Sequence, residues 1–201
     1  MKIRRILLLV LSGLQCLGLF ARDTEAFDSL YARMSSSCVS MNYSFVYQDM
    51  TRVVGEGSLV SQGAAFRMQG NGLEVYCDGS TVWTLDTESR EVVVDCVSDG
   101  SFDLSNPALL FTGLRENFTI SEAIASGAVM TYVLTPVTAN GIKSCIVKIA
   151  DGKLQSGVFD FDGKTLAITV SAMSFGPLQP LSAFTFDPSA LSSDYIITDL
   201  R

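Results

Sequence analysis

The chain has 201 residues, of which 48% are apolar and 17% are charged, and it contains no histidine. This composition is typical of a globular chain and excludes an intrinsically disordered one. The absence of histidine excludes a histidine-based triad, an imidazole general base and a histidine metal site. The formal net charge of −7 at pH 7 argues against a nucleic-acid partner.

The N-terminal 21 residues have the pattern of an export signal. Three basic residues precede an apolar run from Ile6 to Phe20, which is short for a bilayer span. We predict cleavage near Ala21, within positions 18–26, which leaves one domain over residues 22–201; an uncleaved N-terminal anchor is the alternative. Cleavage removes three of the 14 basic residues and none of the 21 acidic ones, so the mature chain carries 11 − 21 = −10.

The next segment, 23–37, predicts an amphipathic helix, because its apolar residues recur at helical spacing and Asp23 or Thr24 can cap it. A second, short helix is predicted over 106–113, where Asn106 is the cap, Pro107 the first residue and Gly113 the end. Alternating apolar residues and turn signals predict strands elsewhere: 38–47, 55–61, four within 66–97, 118–121, 129–134, 143–150, 158–162, 165–174 and 182–186.

About ten or eleven strands and two helices make this a mainly β protein. Strands and helices do not alternate along the chain, which disfavours a parallel sheet. We therefore predict one curved antiparallel sheet that forms an unclosed half-barrel, with the N-terminal helix and the mid-chain helix covering its concave side.

The strands of the central meander, residues 66–97, predict one face that is nearly all apolar. We expect this face and its continuation in the later strands to line one concave surface, formed by Phe66, Met68, Leu73, Val75, Trp83, Leu85, Val92, Val94, Phe159, Phe161 and Ile168. If packing fills that surface it is a core, and if it stays partly unfilled it is a lipid-sized cleft. The pattern leaves both interpretations open.

Four cysteines remain after cleavage, an even number in a compartment that permits disulfides. Cys77 and Cys96 lie on strands separated by a third strand, too far apart to bond in a regular sheet. Of the three pairings possible, we prefer Cys38 with Cys77 and Cys96 with Cys145; four buried free thiols are the alternative. A metal site is not expected, because there is no C-x-x-C pair.

The sequence contains no nucleotide-binding loop and no nucleophile elbow. Asp160 and Asp162 share one face of a predicted strand, but Phe159 and Phe161 share the other, so a solvated edge opposite a buried one explains the pattern. We therefore predict a protein that is not an enzyme and needs no cofactor.

A series of short motifs runs along the chain: the G-x-G-x-L run Gly55-Glu56-Gly57-Ser58-Leu59, then Phe66-Arg67-Met68, the hairpin from Cys77 to Asp86 with Trp83, Asn106-Pro107-Ala108-Leu109-Leu110, Tyr132 to Pro136, Ala183 to Pro188, and Thr198 to Arg201. Together these motifs resemble the outer-membrane lipoprotein carrier family, the LolA-like proteins. They occur in the family's order over nearly the whole mature chain.

This resemblance implies a periplasmic chaperone whose cavity takes the acyl chains of lipoproteins released from the inner membrane. Phe66 matches the family's cavity aromatic, Trp83 the hairpin tryptophan, and Leu109 with Leu110 the lid helix. An inner-membrane lipoprotein-releasing transporter and an outer-membrane acceptor are the implied partners, and a monomer is expected. One departure is that Gln62-Gly63-Ala64 stands where proteobacterial carriers have a basic residue and proline.

A second interpretation comes from a different class of protein. The same half-barrel with a filled core would serve as an envelope sensor or protein-binding module. Bound lipid would favour the carrier, and a solid core the module.

Overall fold

A computed structural model describes residues 24–97, 113–138 and 141–201. These residues form one open, mainly antiparallel sheet of twelve strands, which confirms the predicted fold class. The strands are β1 (Cys38–Gln48), β2 (Arg52–Gln62), β3 (Ala65–Gly70), β4 (Leu73–Cys77), β5 (Thr81–Asp86), β6 (Glu91–Cys96), β7 (Phe118–Ser126), β8 (Val129–Pro136), β9 (Ser144–Ala150), β10 (Lys153–Asp160), β11 (Thr165–Gly176) and β12 (Ile196–Asp199). Their order across the sheet is β12-β6-β5-β4-β3-β2-β1-β11-β10-β9-β8-β7.

Helix α1 (Glu25–Ser35) confirms the predicted N-terminal helix and packs on the concave side of the sheet. Its apolar stripe is fully buried, and the ring of Phe27 lies 5.3 Å from that of Tyr132 on β8. At its C-terminal end, the guanidinium of Arg33 lies 3.9 Å from the ring centre of Phe175 on β11. These contacts anchor α1 over the β8 side of the half-barrel.

The predicted mid-chain helix, 106–113, lies almost entirely outside the described residues, and so do Leu109 and Leu110. What the structure describes there is α2 (Leu114–Asn117), a single turn that leads into β7. Leu114 is buried in the main core, and the guanidinium of Arg115 forms a 3.0 Å ion pair with Asp28 of α1. This short turn therefore joins α1 to the edge of the sheet.

The strand register decides which residues share a face. Directly opposed residues on antiparallel strands point to the same side of a sheet. Val75 is opposite Thr84, whereas Trp83 is opposite Tyr76 on one side and Val94 on the other. Val75 and Trp83 therefore point to opposite faces of the sheet.

The C-terminal segment, residues 177–201, differs from the prediction. No strand forms over 182–186: Leu181–Ala183 is a turn of 3-10 helix, and Phe184 is fully buried against Cys38 and Ala65. The chain then runs along the outer face and ends in β12, which pairs in parallel with β6. Sequence reasoning did not predict β12, because its four exposed residues carry no alternating pattern.

Among the described residues, no helix is long and apolar enough to span a bilayer.

Candidate functional site

The predicted cavity residues fall into two groups on opposite faces of the sheet. One group belongs to the core that α1 covers or lies against it: Phe66, Met68, Val75, Phe159, Phe161 and Ile168. Leu73 shares the face of Val75 and stays 38% exposed. The second group, Trp83, Leu85, Val92 and Val94, forms a separate cluster. The expectation of one continuous surface is therefore corrected by the register between β4 and β5.

The second group is covered by the C-terminal segment on the outer face. Phe186, Leu191 and Tyr195 pack against it, and the ring of Phe186 lies 5.2 Å from that of Tyr76. An ion pair between Arg90 and Asp194 joins the same two parts of the chain. Trp83 therefore packs beneath the C-terminal segment on the outer face. It does not line the concave side, where the sequence pattern predicted it.

The same segment explains the departure from the family motif at Gln62. The Gln62 side-chain amide donates to the carbonyl of Gln179 at 3.0 Å, and its oxygen accepts from the Gln179 N–H at 2.7 Å. Gln62 therefore holds the start of the C-terminal segment. Arg67 lies opposite Val60 and Tyr76 on the outer face, as its alternation with Phe66 predicts.

The concave face is filled near α1. Tyr132, Val147 and Phe159 on β8–β10 are 0% exposed, so packing with α1 leaves no room for a ligand at these side chains. Burial raises the pKa of Tyr31 in α1 well above its usual range, and the nearby Cys145 adds to the effect. This half of the concave face is a core.

The other half, over β1–β4, is apolar but only partly buried. Tyr43, Phe45 and Tyr47 alternate along β1 on the concave side, next to Met68 and Leu73. Desolvation raises the pKa of the Tyr43 hydroxyl, as expected for a phenol on an apolar surface. We call these five side chains the concave rim.

The G-x-G motif shapes the concave rim. Gly55 lies opposite Phe45, and Gly57 lies opposite Tyr43. A Cβ atom on Gly55 would fall 2.5 Å from Cε1 of the Phe45 ring, so only glycine lets that ring lie over the neighbouring strand. The predicted site did not include the aromatic residues of β1. Their alternation along β1, followed by the two glycines of the next strand, was a sequence signal that could have indicated them.

The cysteines form neither of the predicted pairs, because all four are free thiols. Cys77 points into the main core, while Cys38 contacts Phe184 on the outer face. Cys96 is exposed on β6, whereas Cys145 is buried on β9, with seven strands between the two in the sheet order. Burial raises the pKa values of the Cys38, Cys77 and Cys145 thiols, so these three stay protonated at neutral pH.

Of the two carboxylates that could have formed a dyad, Asp162 is exposed and Asp160 is half-buried. Asp162 accepts a hydrogen bond from the ammonium group of Lys143, which lowers the pKa of the carboxyl and raises that of the lysine. For Asp162 this is the solvated arrangement that its alternation with Phe161 predicts.

These features together define an open β half-barrel with an apolar interior, one helix over half of that interior and an apolar rim along the other half. A solved protein of this shape is an uncharacterized conserved protein from Thermus thermophilus. It is 12% identical, covers 88% of this chain and 98% of its own, and superposes with a TM-score of 0.55. This likeness concerns the fold.

The chain is also 36% identical over 127 residues to an outer-membrane lipoprotein carrier protein of Alcanivorax borkumensis. The match covers 55% of this chain and 55% of that protein, so it spans about half the length of the relative. It confirms the resemblance that the motifs predicted. A LolA superfamily protein from Nitrosomonas europaea is 10% identical, covers 82% of this chain and 98% of its own, and has a TM-score of 0.45. No family model matches the chain.

Proposed function

We propose that this protein is a periplasmic carrier that binds the acyl chains of lipoproteins, or another lipid, on its concave side and moves them toward the outer membrane. The observation that carries the proposal is the concave rim, an apolar surface that α1 leaves partly exposed. The similarity to a lipoprotein carrier over half of the chain supports the same conclusion.

The energetics of this activity need only apolar burial. A 16-carbon chain buried at about 0.8 kcal/mol per methylene gains on the order of 10 kcal/mol before ordering costs. Flat aromatic rings over glycines offer a smooth surface to such a chain, and Met68 can adapt its shape to it. No covalent step is required of any residue.

In this proposal, residues 1–21 act as the export signal, and residues 22–201 are the mature carrier. A transporter in the inner membrane would load it, and an acceptor at the outer membrane would bind the cargo more tightly and so unload it. Of the predicted residues, we place Met68, Leu73 and Phe161 in the binding site, and we add Tyr43, Phe45 and Tyr47. Phe66, Val75, Phe159 and Ile168 are buried in the core on the same face and support the site without reaching a ligand.

The experiment is native mass spectrometry of the mature protein purified from an envelope fraction without detergent. The expected result is a reproducible added mass that matches a lipid or an acylated peptide. Saturable uptake of a fluorescent fatty acid by delipidated protein would measure the same site. A bare mass together with no uptake would contradict the proposal.

The second candidate is a non-enzymatic envelope sensor or protein-binding module. It is favoured by the complete burial of Tyr132, Val147 and Phe159, because packing fills that half of the concave face. A bare mass would favour this candidate, because a filled interior needs no lipid.

A further inference from the structure

The hairpin of β1 and β2 projects beyond the neighbouring strand β3. The ladder between β1 and β2 extends to the pair Gln48 and Arg52, whereas β3 pairs with β2 only over 58–62. The first half of β2 therefore extends past β3 as a ribbon edge. At its end, the N–H of Asp49 donates to the carbonyl of Thr51 and closes the turn.

The end of this hairpin exposes three apolar side chains. Met50 is 97% exposed, the highest value among the large apolar side chains that the structure describes, and Val53 and Val54 are 48% and 57% exposed. Arg52 lies between them and is also exposed. We call Met50, Val53 and Val54 the hairpin tip.

The hairpin tip continues into the concave rim through Val53, whereas Val54 lies opposite Val46 on the other face of the hairpin. Val53 is opposite Tyr47, and the next pairs on the same face are Gly55 with Phe45 and Gly57 with Tyr43. The apolar surface therefore extends from the tip, along alternate residues of β1, to the rim. An acyl chain could follow this surface without crossing a charged side chain of either strand.

We propose that the hairpin tip docks on the surface of a lipid bilayer and brings the concave rim to the membrane from which acyl chains are taken or to which they are delivered. This inference rests on the proposed function. A stable protein interface takes roughly 20–30 residues from each partner, and the hairpin tip supplies only three. A patch of this size suits shallow insertion into the interfacial region of a lipid bilayer. An arginine beside them keeps its charged head in water while its stem lies along the apolar region.

Insertion is driven by the apolar side chains and not by net charge. The mature chain carries 11 − 21 = −10, so an anionic membrane repels it as a whole. Binding should therefore be as strong on zwitterionic phosphatidylcholine vesicles as on vesicles that also contain phosphatidylglycerol, or stronger. A preference for the anionic vesicles would contradict this driving force.

The test is flotation of the mature protein with phosphatidylcholine vesicles. Replacing Met50 with aspartate (M50D) is expected to lower the vesicle partition coefficient about tenfold, the factor for withdrawing one methionine-sized side chain from the apolar phase. The matched control is Leu178→Asp, which changes a side chain that is 62% exposed but lies outside the tip. Equal losses in the two variants, or no flotation of the wild type, would overturn the proposal.

A second measurement separates this inference from the proposed function. In a Cys96→Ser background, Met50→Cys labelled with an environment-sensitive fluorophore is expected to shift to the blue with vesicles, and labelled Leu178→Cys is not. Fatty-acid uptake from solution should be equal in M50D and wild type, while uptake from vesicles should fall in M50D. A wild type that docks but takes up no fatty acid would defeat the carrier proposal alone. Uptake without any shift at Met50 would defeat the membrane inference and favour a protein partner.

Discussion

Tyr43 lies directly across the β1–β2 ladder from Gly57, and a Cβ atom on Gly57 would fall 2.9 Å from the phenolic oxygen of the tyrosine. The same atom would fall 2.5 Å from the backbone oxygen of Gln69 on β3. Position 57 therefore has no space for a side chain, because an aromatic ring lies on one side of it and a backbone carbonyl on the other.

Gly57→Ala is expected to destabilise the protein by about 1–3 kcal/mol, because the added methyl group overpacks against a carbonyl that cannot rotate away. Urea unfolding measures the change. Gly176→Ala is the control, since its nearest neighbour, the Cys38 oxygen, is at an ordinary 3.8 Å. Equal stability of the two variants would show that β2 and β3 separate easily at this point.

Phe45→Ser is expected to weaken fatty-acid binding by about tenfold or more, because it removes one large apolar side chain from the concave rim. Titration with a fluorescent fatty acid measures the effect. Val46→Ser is the matched control, since Val46 is the next residue on β1 and points to the outer face. If Val46→Ser weakens binding as much as Phe45→Ser, the site is not on the concave side.

Trp83→Ala is expected to cost about 3–5 kcal/mol of stability, as for other buried aromatic residues, and to leave fatty-acid affinity unchanged. The reason is that Trp83 packs beneath the C-terminal segment, against Phe186, Leu191 and Tyr195. Denaturant unfolding and ligand titration at a temperature where the variant is folded measure the two effects. Because Trp83 is the single tryptophan of the chain, its emission in the wild type should also stay constant when ligand binds. Loss of affinity with unchanged stability would return Trp83 to the binding site.

Thiol titration with Ellman's reagent of the protein prepared without residues 1–21 is expected to show one fast cysteine in the native state and four after denaturation. Cys96 is exposed, and the other three thiols are buried with raised pKa values. Cys96→Ser should remove the fast phase. Two or fewer reactive thiols in denaturant would reveal a disulfide.

Acid should weaken the hairpin that contains Asp78. Burial alone would raise the pKa of this carboxyl, but hydrogen bonds from the N–H groups of Thr81 and Ser80 outweigh it and hold the pKa below its ordinary 3.8. The folded pKa is lowered, so the stabilisation is present above the unfolded pKa and is lost as pH falls through the folded value. Asp78→Asn should therefore be less stable than wild type at neutral pH, and the difference should shrink below about pH 4. Urea midpoints across this range measure it, and a difference independent of pH would exclude ionisation as the cause.

The sequence by itself determined the fold class and the first helix. Period-2 alternation with turn residues marks strands, and helical spacing from Ala26 to Met34 marks α1, because both patterns arise from local backbone geometry. The same local rules predicted that Asp162 would be solvated, and its side chain is exposed. The residues of the lid motif, Leu109 and Leu110, remain a prediction.

Only the tertiary structure decided which apolar residues share one face of the sheet. Alternation gives each strand two faces but does not relate the faces of different strands, and a shift of one residue between β4 and β5 exchanges them. The register sends Trp83 to the outer face, and the C-terminal segment then covers it through contacts that are distant in sequence. Tertiary packing also decides how far the concave side is filled. Helix α1 buries the strands that it contacts and leaves the concave rim partly exposed.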